Sequence, residues 1–291
     1  MSERRFDTST IAGCTTLWVE SGRIDECVRH YLENHLDSLG INPVRGYSDG
    51  DISFLRRHPS VTDVTIVNPP RGPFDLEPIR ALRGLHSLTV SGPAGLSMRE
   101  FPALEVLRAN WDPKLDLAGC DRLAVLDLSG FRSKHEDLSD LPDLPALRDL
   151  SLVQARIRSL HGLGRFPKLT RLQLAYLPKL ESLAEIGQLP LLEVLECERC
   201  KRLRDHEVVR AARRLRRLRL SGCGTMPTLG FIREMPQLED FSFVDTTVAD
   251  GDLRPLLKLK RVGFLRKKHY SHTPEQLAAL LGAGETGGVV Q

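Results

Sequence analysis

The sequence predicts an α/β solenoid in which stacked repeats lay down one long parallel sheet along a concave face. Three observations predict it. The pattern L-x-x-L-x-L, with other apolar residues allowed, recurs cleanly as LHSLTV at Leu85, LAVLDL at Leu123, LRDLSL at Leu147, LTRLQL at Leu169 and LRRLRL at Leu215. Looser copies at Val61, Leu104, Leu192, Leu238 and Leu259 fill the intervals, so that about ten repeats start 24, 19, 19, 24, 22, 23, 23, 23 and 21 residues apart. Leucine is also in marked excess, 49 residues against 9 Ile and 18 Val in a chain of 291, and a repeat of fixed period accounts for such a bias.

From the N-terminus, Ile24, Cys27, Val28, Tyr31, Leu32, His35, Leu36 and Leu39 recur at steps of three and four. That is one face of an amphipathic helix, and it marks residues 1–44 as a helical N-terminal cap. A degenerate first coil follows, in which Ile52, Phe54 and Leu55 supply the apolar residues. Within each L-x-x-L-x-L a short strand alternates sides. Its second and third apolar residues point into the solenoid, and those between them face the concave surface. In six copies a proline (Pro59, Pro102, Pro145, Pro167, Pro190, Pro236) stands two residues before the first apolar position, where it ends the preceding segment and favours extended geometry. Further apolar residues, such as Ile157, Leu160, Leu163 and Phe166, or Leu180, Leu183 and Ile186, return to line the convex wall. The 19-residue copies leave little room for an α-helix there, which predicts 3₁₀ turns and extended segments. The solenoid is expected to span 45–266. In 267–291, Thr273-Pro274-Glu275-Gln276 has the spacing of a capping box with proline at the first helical position, followed by Leu277, Leu280 and Leu281; it predicts a short closing helix with a frayed GAGETGGVVQ tail.

On these motifs the chain resembles the leucine-rich-repeat superfamily, over Val61 to Arg266. The resemblance implies a leucine-rich-repeat solenoid. A second one is narrower. Asp250-Gly251-Asp252-Leu253-Arg254-Pro255-Leu256, followed by Lys268-His269-Tyr270-Ser271-His272, is similar to the closing segment of a group of bacterial cytosolic leucine-rich-repeat proteins. It implies an end-cap and a bacterial source.

Composition bounds the function classes. With 41 basic and 38 acidic residues the net charge is +3, and the chain is 41% hydrophobic and 27% charged: a soluble globular composition, with no global charge excess for a polyanion. No apolar stretch reaches the roughly 18 residues of a membrane span, and the N-terminus lacks the apolar core of a signal peptide, which predicts a cytoplasmic protein with no membrane partner. Six cysteines then read as reduced thiols. Length alone would suggest about two domains at roughly 150 residues each, whereas the repeat register predicts one quasi-linear solenoid between two caps.

Cys197-Glu198-Arg199-Cys200 is a C-x-x-C, a redox or zinc spacing when taken alone. The register supplies a structural reading: Cys197 takes the third leucine position, and Cys200 and Cys223 the Asn/Cys position of L-x-x-L-x-L-x-x-N/C, where a thiol can donate to backbone carbonyls. His269 and His272 lack further ligands at regular spacing, and packing of the last coil against the closing helix is the expected role. No P-loop, nucleophile elbow, H-E-x-x-H or dinucleotide fingerprint occurs, so the expectation is a protein that is not an enzyme and has no cofactor or metal.

A binding function would use the outward strand positions. One column reads Asp149, Arg171, Val194, Arg217, Asp240, and the next Arg108, Asp127, Ser151, Gln173, Glu196, Arg219. Neighbouring parallel strands lie about 4.8 Å apart, which predicts Glu196 beside Arg219. Trp111 and Tyr176 follow directly after strands and are candidate anchors or covers of the core edge. These residues predict a protein partner bound without catalysis on the concave face; together with the lack of a signal and the resemblance of the closing segment, the role implied is that of a bacterial immunity protein or an adaptor. The alternative is nucleic acid or another acidic ligand on the Arg-rich segment 199–219, where ten basic residues face three acidic ones between Glu198 and Arg219. Two features weigh against nucleic acid: the segment also contributes Leu203, Val208 and Leu215 to the core, and it lacks interleaved aromatics. Oligomeric state is left open.

Overall fold

Alternation of apolar and polar residues at period two does what it should: each L-x-x-L-x-L opens a short strand whose inward residues are buried, except for the half-exposed Val262 of the last one, and whose outward residues are half-exposed or, as at Arg108, Arg219 and Arg261, exposed. The computed structural model describes residues 6–11, 13–67, 75–91 and 96–282. The chain divides into two units, Met1–Leu128 and Ser129–Gln291.

In the first unit, β1 (Thr8–Ile11) and β2 (Cys14–Trp18) form an antiparallel hairpin, turned at Gly13 with φ +83°. Helix α1 (Ile24–Glu33) buries Cys27, Val28 and Tyr31. It is shorter than its apolar spacing predicts. Asn34 closes it, donating its amide N–H and its Nδ2 to His30 O at 3.1 and 2.9 Å, and His35 turns left-handed at φ +49°. Leu32 and His35 are exposed, Leu36 is half-exposed, and Leu39 lies on β3 (Ser38–Ile41). The N-terminal segment is therefore a hairpin, a helix and a strand: β2 runs parallel to β3, and β3 to β4 (Asp63–Ile66). β5 (Ser87–Val90), β6 (Val106–Asn110) and β7 (Val125–Ser129) follow in sheet order. Ile52, Phe54 and Leu55 are buried at the 3₁₀ turn Ser53–Arg57, as the degenerate coil requires.

The second unit contains β8 (Asp149–Val153), β9 (Arg171–Ala175), β10 (Val194–Glu198), β11 (Arg217–Ser221), β13 (Asp240–Ser242) and β15 (Arg261–Gly263), adjacent in that order and parallel. β12 (Thr225–Met226) and β14 (Thr247–Val248) pair separately. Between strands the chain makes 3₁₀ turns, such as Ala184–Gln188, His206–Ala211 and Gly230–Glu234; among the described residues the coils contain no α-helix. Leu150, Leu152, Leu172, Leu174, Leu195, Leu218 and Leu220 are at most 1% exposed, each burial contributing about 2 kcal/mol.

Helix α2 (Pro274–Gly282) opens with the predicted reciprocal cap. The Thr273 amide donates to Gln276 Oε1 at 2.8 Å and the Gln276 amide to Thr273 Oγ1 at 3.2 Å. Only Leu277 is buried; Leu280 is exposed and Leu281 half-exposed, so the helix rests on a single buried side chain rather than on the three its spacing suggested. The expected frayed tail lies outside the described residues beyond Gly282.

Candidate functional site

The parallel register of the second unit aligns the outward residues into rows: Asp149, Arg171, Val194, Arg217, Asp240 and Arg261 in one, Ser151, Gln173, Glu196, Arg219, Ser242 and Gly263 in the next. Opposite charges in adjacent strands meet along them. Arg171 Nη2 lies 2.7 Å from Glu196 Oε2, and its Nε 3.8 Å from Asp149 Oδ2. Gln173 Nε2 donates to the same Glu196 oxygen at 2.5 Å. Arg219 stands beside Glu196 as the spacing predicted, but only at 4.0 Å; the tighter partner of that carboxylate is the diagonal Arg171. Farther along, Arg217 and Arg261 both reach Asp240 Oδ2, at 3.3 and 3.2 Å. Pairs this exposed contribute about 0–1 kcal/mol each to stability. Their main effect is to hold the side chains in fixed places and leave the row close to neutral.

The first unit repeats this on a smaller scale, with Arg108 Nε donating to Asp127 Oδ2 at 2.9 Å. Trp111, just after β6, is half-buried. Tyr176, just after β9, is 45% exposed, holds a left-handed φ of +59°, and has the Arg199 guanidinium 5.8 Å from its ring centroid.

The C-x-x-C is built into the core. Cys197, Cys200 and Cys223 are fully buried. Cys200 Sγ donates to Leu174 O and Glu198 O, both at 3.6 Å, and Cys223 Sγ to Cys197 O at 3.3 Å and Ser221 O at 3.4 Å. Thr246 continues the same position one coil later, its hydroxyl donating to Leu220 O at 2.6 Å and accepting from the Cys223 amide at 2.9 Å. Burial pushes the Cys197 thiol up, and its hydrogen bond with Cys200, together with burial, pushes the Cys223 thiol up. The hydrogen bond with Cys223 moves Cys200 the other way, downward, but none of the three sulfurs reaches solvent, and an inaccessible thiol is neither a nucleophile nor a metal ligand as it stands. Among the described residues no three His, Cys, Asp or Glu side chains converge as a metal site.

The closing motif is a clamp on the preceding coil. His269 Nε2 lies 2.9 Å from Val248 O, the Val248 amide donates to the Tyr270 hydroxyl at 3.1 Å, the Ser271 amide to Gly251 O at 2.8 Å, and the Leu253 amide to Ser271 Oγ at 3.0 Å. Tyr270 also meets Phe243 and Phe264 edge-on. The expected packing against the closing helix is thus, in the main, packing on the coil's own backbone.

Two residues of the Arg-rich segment depart from expectation. Val208 is half-buried, and the core position belongs to Val209. His206, which sequence reasoning passed over, is fully buried, with Nε2 2.8 Å from Cys223 O and Nδ1 lacking a partner; burial holds its pKa below the usual histidine value. A signal was available, because His206 interrupts the column Leu160, Leu183, Leu229, Leu253 at the repeat period. Arg210, Arg213, Arg214 and Arg216 are exposed around it.

Known structures place this architecture. An internalin from Listeria monocytogenes superposes with a TM-score of 0.59 over 84% of this chain and 69% of its own, at 18% identity. The fold is that of the leucine-rich-repeat proteins. An internalin C2 from the same organism is similar at a TM-score of 0.42, over 67% of this chain and 77% of its own, at 16% identity. No protein-family model and no curated protein sequence matches the leucine-rich-repeat chain described here. None of its described helices is long and apolar enough to cross a membrane.

Proposed function

We propose that this protein is a non-catalytic binding scaffold whose partner is another protein, docked on the outward residues of the parallel sheet. The observation that carries the reading is the pair of ion-paired groups on two adjacent rows, Asp149–Arg171–Glu196 and Arg217–Asp240, whose side chains are held in place by their partners and remain partly open to solvent. Pre-ordered mixed charge beside an exposed Tyr176 suits a protein surface of matching pattern, because little side-chain entropy is lost on binding. Arg108, Asp127 and Trp111 in the first unit, and Gln173 and Arg219 in the second, belong to the same proposal. Its finer form is a cytoplasmic bacterial protein that acts as a toxin-neutralising immunity protein or as an adaptor, supported by the resemblance of the closing segment.

Nucleic acid is the weaker alternative, since Glu196, Glu198, Asp205 and Glu207 interrupt the basic segment. Affinity purification from the producing cells should recover a stoichiometric protein partner, lost when Arg171, Arg217 and Arg219 are all changed to Glu. Recovery of nucleic acid with a steep salt dependence, or of no protein at all, would sink the reading.

A further inference from the structure

We propose that the groove between the outward face of β11, β13 and β15 and helix α2 is the docking site for an acidic segment of the partner protein, one that sets carboxylates beside large apolar side chains. The inference rests on the protein-binding reading and names the chemistry of what is bound. The cavity measures about 1570 Å³, room for several side chains together. Its apolar part includes Leu265, 52% exposed two residues beyond the last strand, and the half-exposed Leu281 from α2. An exposed leucine facing a helix across an open groove is surface that a partner's apolar side chain would dehydrate.

The charge around that apolar strip decides the occupant. Six basic and four acidic residues line the groove. Asp240 already holds Arg217 and Arg261. Arg199, Lys201 and Arg266, by contrast, make no ion pair among the described residues, the Arg199 guanidinium resting only against the Tyr176 ring. Glu275 of α2 stands near enough to Arg266 to feel its charge, but Arg199 and Lys201 leave uncompensated positive charge beside the apolar strip, complementary to a segment that carries both carboxylates and apolar side chains. A polyphosphate strand fits less well. Its uniform negative charge would run against Glu198 and Asp245, which line the same groove, and no exposed aromatic ring is among the lining residues to stack a base.

The test uses the full chain and fluorescein-labelled synthetic peptides of one length: Glu mixed with Leu and Phe, Glu mixed with Ser, and Lys mixed with Leu and Phe, with a single-stranded oligodeoxynucleotide as a further probe. Fluorescence anisotropy should show the first peptide binding at least about tenfold more tightly than the other probes. Lys201→Glu with Arg266→Glu should weaken it about tenfold, and Leu265→Ser about fivefold. All three positions are exposed, so the variants should melt as the unchanged chain does. Equal binding of the Glu/Ser peptide, tighter binding of the oligonucleotide, or indifference to the substitutions overturns the inference. So does a dimer in sedimentation that the same substitutions dissolve, because a second copy would then be the occupant. If affinity purification recovers a partner and the groove variants retain it undiminished, the groove inference fails alone; if no form of the chain recovers a protein, the protein-binding reading itself fails.

Discussion

The two units share a strand grammar and differ in charge and regularity. Met1–Leu128 carries 18 acidic and 14 basic residues, a net −4, while Ser129–Gln291 carries 27 basic and 20 acidic, a net +7. The repeat starts of the first unit are 24, 19 and 19 residues apart, and those of the second 22, 23, 23, 23 and 21. Even spacing has a consequence that composition does not show. It brings Cys200, Cys223 and Thr246 to the same place in successive coils, each 23 residues from the last, so that each side chain can satisfy a carbonyl of the coil before it. The first unit closes its sheet by another device, a hairpin and a helix with Trp18 lying over Gly40. A core rule common to both units therefore coexists with two different ways of ending and decorating it.

The largest effects should come from the shared core. Leu88→Ala in the first unit and Leu172→Ala in the second each empty a site with no solvent exposure, and each should lower stability by about 2–5 kcal/mol in urea unfolding. A loss below about 1 kcal/mol at either site would break the equivalence of the two cores. The terminal devices should differ more. At Gly251, where φ is +67°, an added Cβ would lie 2.1 Å from His269 O, a backbone atom of the clamp; at Gly40, where φ is not left-handed, it would meet the side-chain atoms Trp18 Cε3 at 2.5 Å and Thr16 Cγ2 at 2.7 Å. Gly251→Ala should cost about 3 kcal/mol and Gly40→Ala about 1–2 kcal/mol. Equal losses in thermal melts would remove the distinction between backbone and side-chain obstruction.

The smallest effect separates the units by pH. His206 has a depressed pKa in the folded state because burial disfavours its charged form, against the opposing influence of Asp205 and Glu207 nearby. Its contribution is fully present above the unfolded value near 6.5 and is lost as pH falls below it, since the unfolded chain then takes up a proton that the folded chain refuses. The slope is at most about 1.4 kcal/mol per pH unit. His206→Leu should flatten this part of the stability profile between about pH 6.5 and 5 and refill the leucine column. An unchanged acid limb in the variant would assign the pH dependence to other groups.

Much of this was legible in the residues themselves. The strands, the 3₁₀ turns, the burial of the C-x-x-C and the capping box before α2 all follow from local period and spacing, and the pairing of Glu196 with a neighbouring strand's arginine follows from register. Other features were not legible because they depend on where distant atoms meet. Nothing in the apolar spacing of Ile24 to Leu39 shows that Asn34 ends the helix and hands Leu39 to a strand. The preference of Glu196 for Arg171 over Arg219 is a matter of side-chain reach across two rows. His206 reads as a surface residue until its place among leucines 23 residues away is noticed.

The repeat, and with it the sheet order within each unit and the inward leucines, is written into the residues, because a period-two strand at fixed intervals has only one way to bury its apolar side. Which charges neutralise one another, which cations face a groove, and how the D-G-D-L and H-Y-S-H segments clasp emerge only when the coils are stacked. Those outcomes rest on distances of a few ångströms between residues far apart in the chain, and no local pattern encodes them.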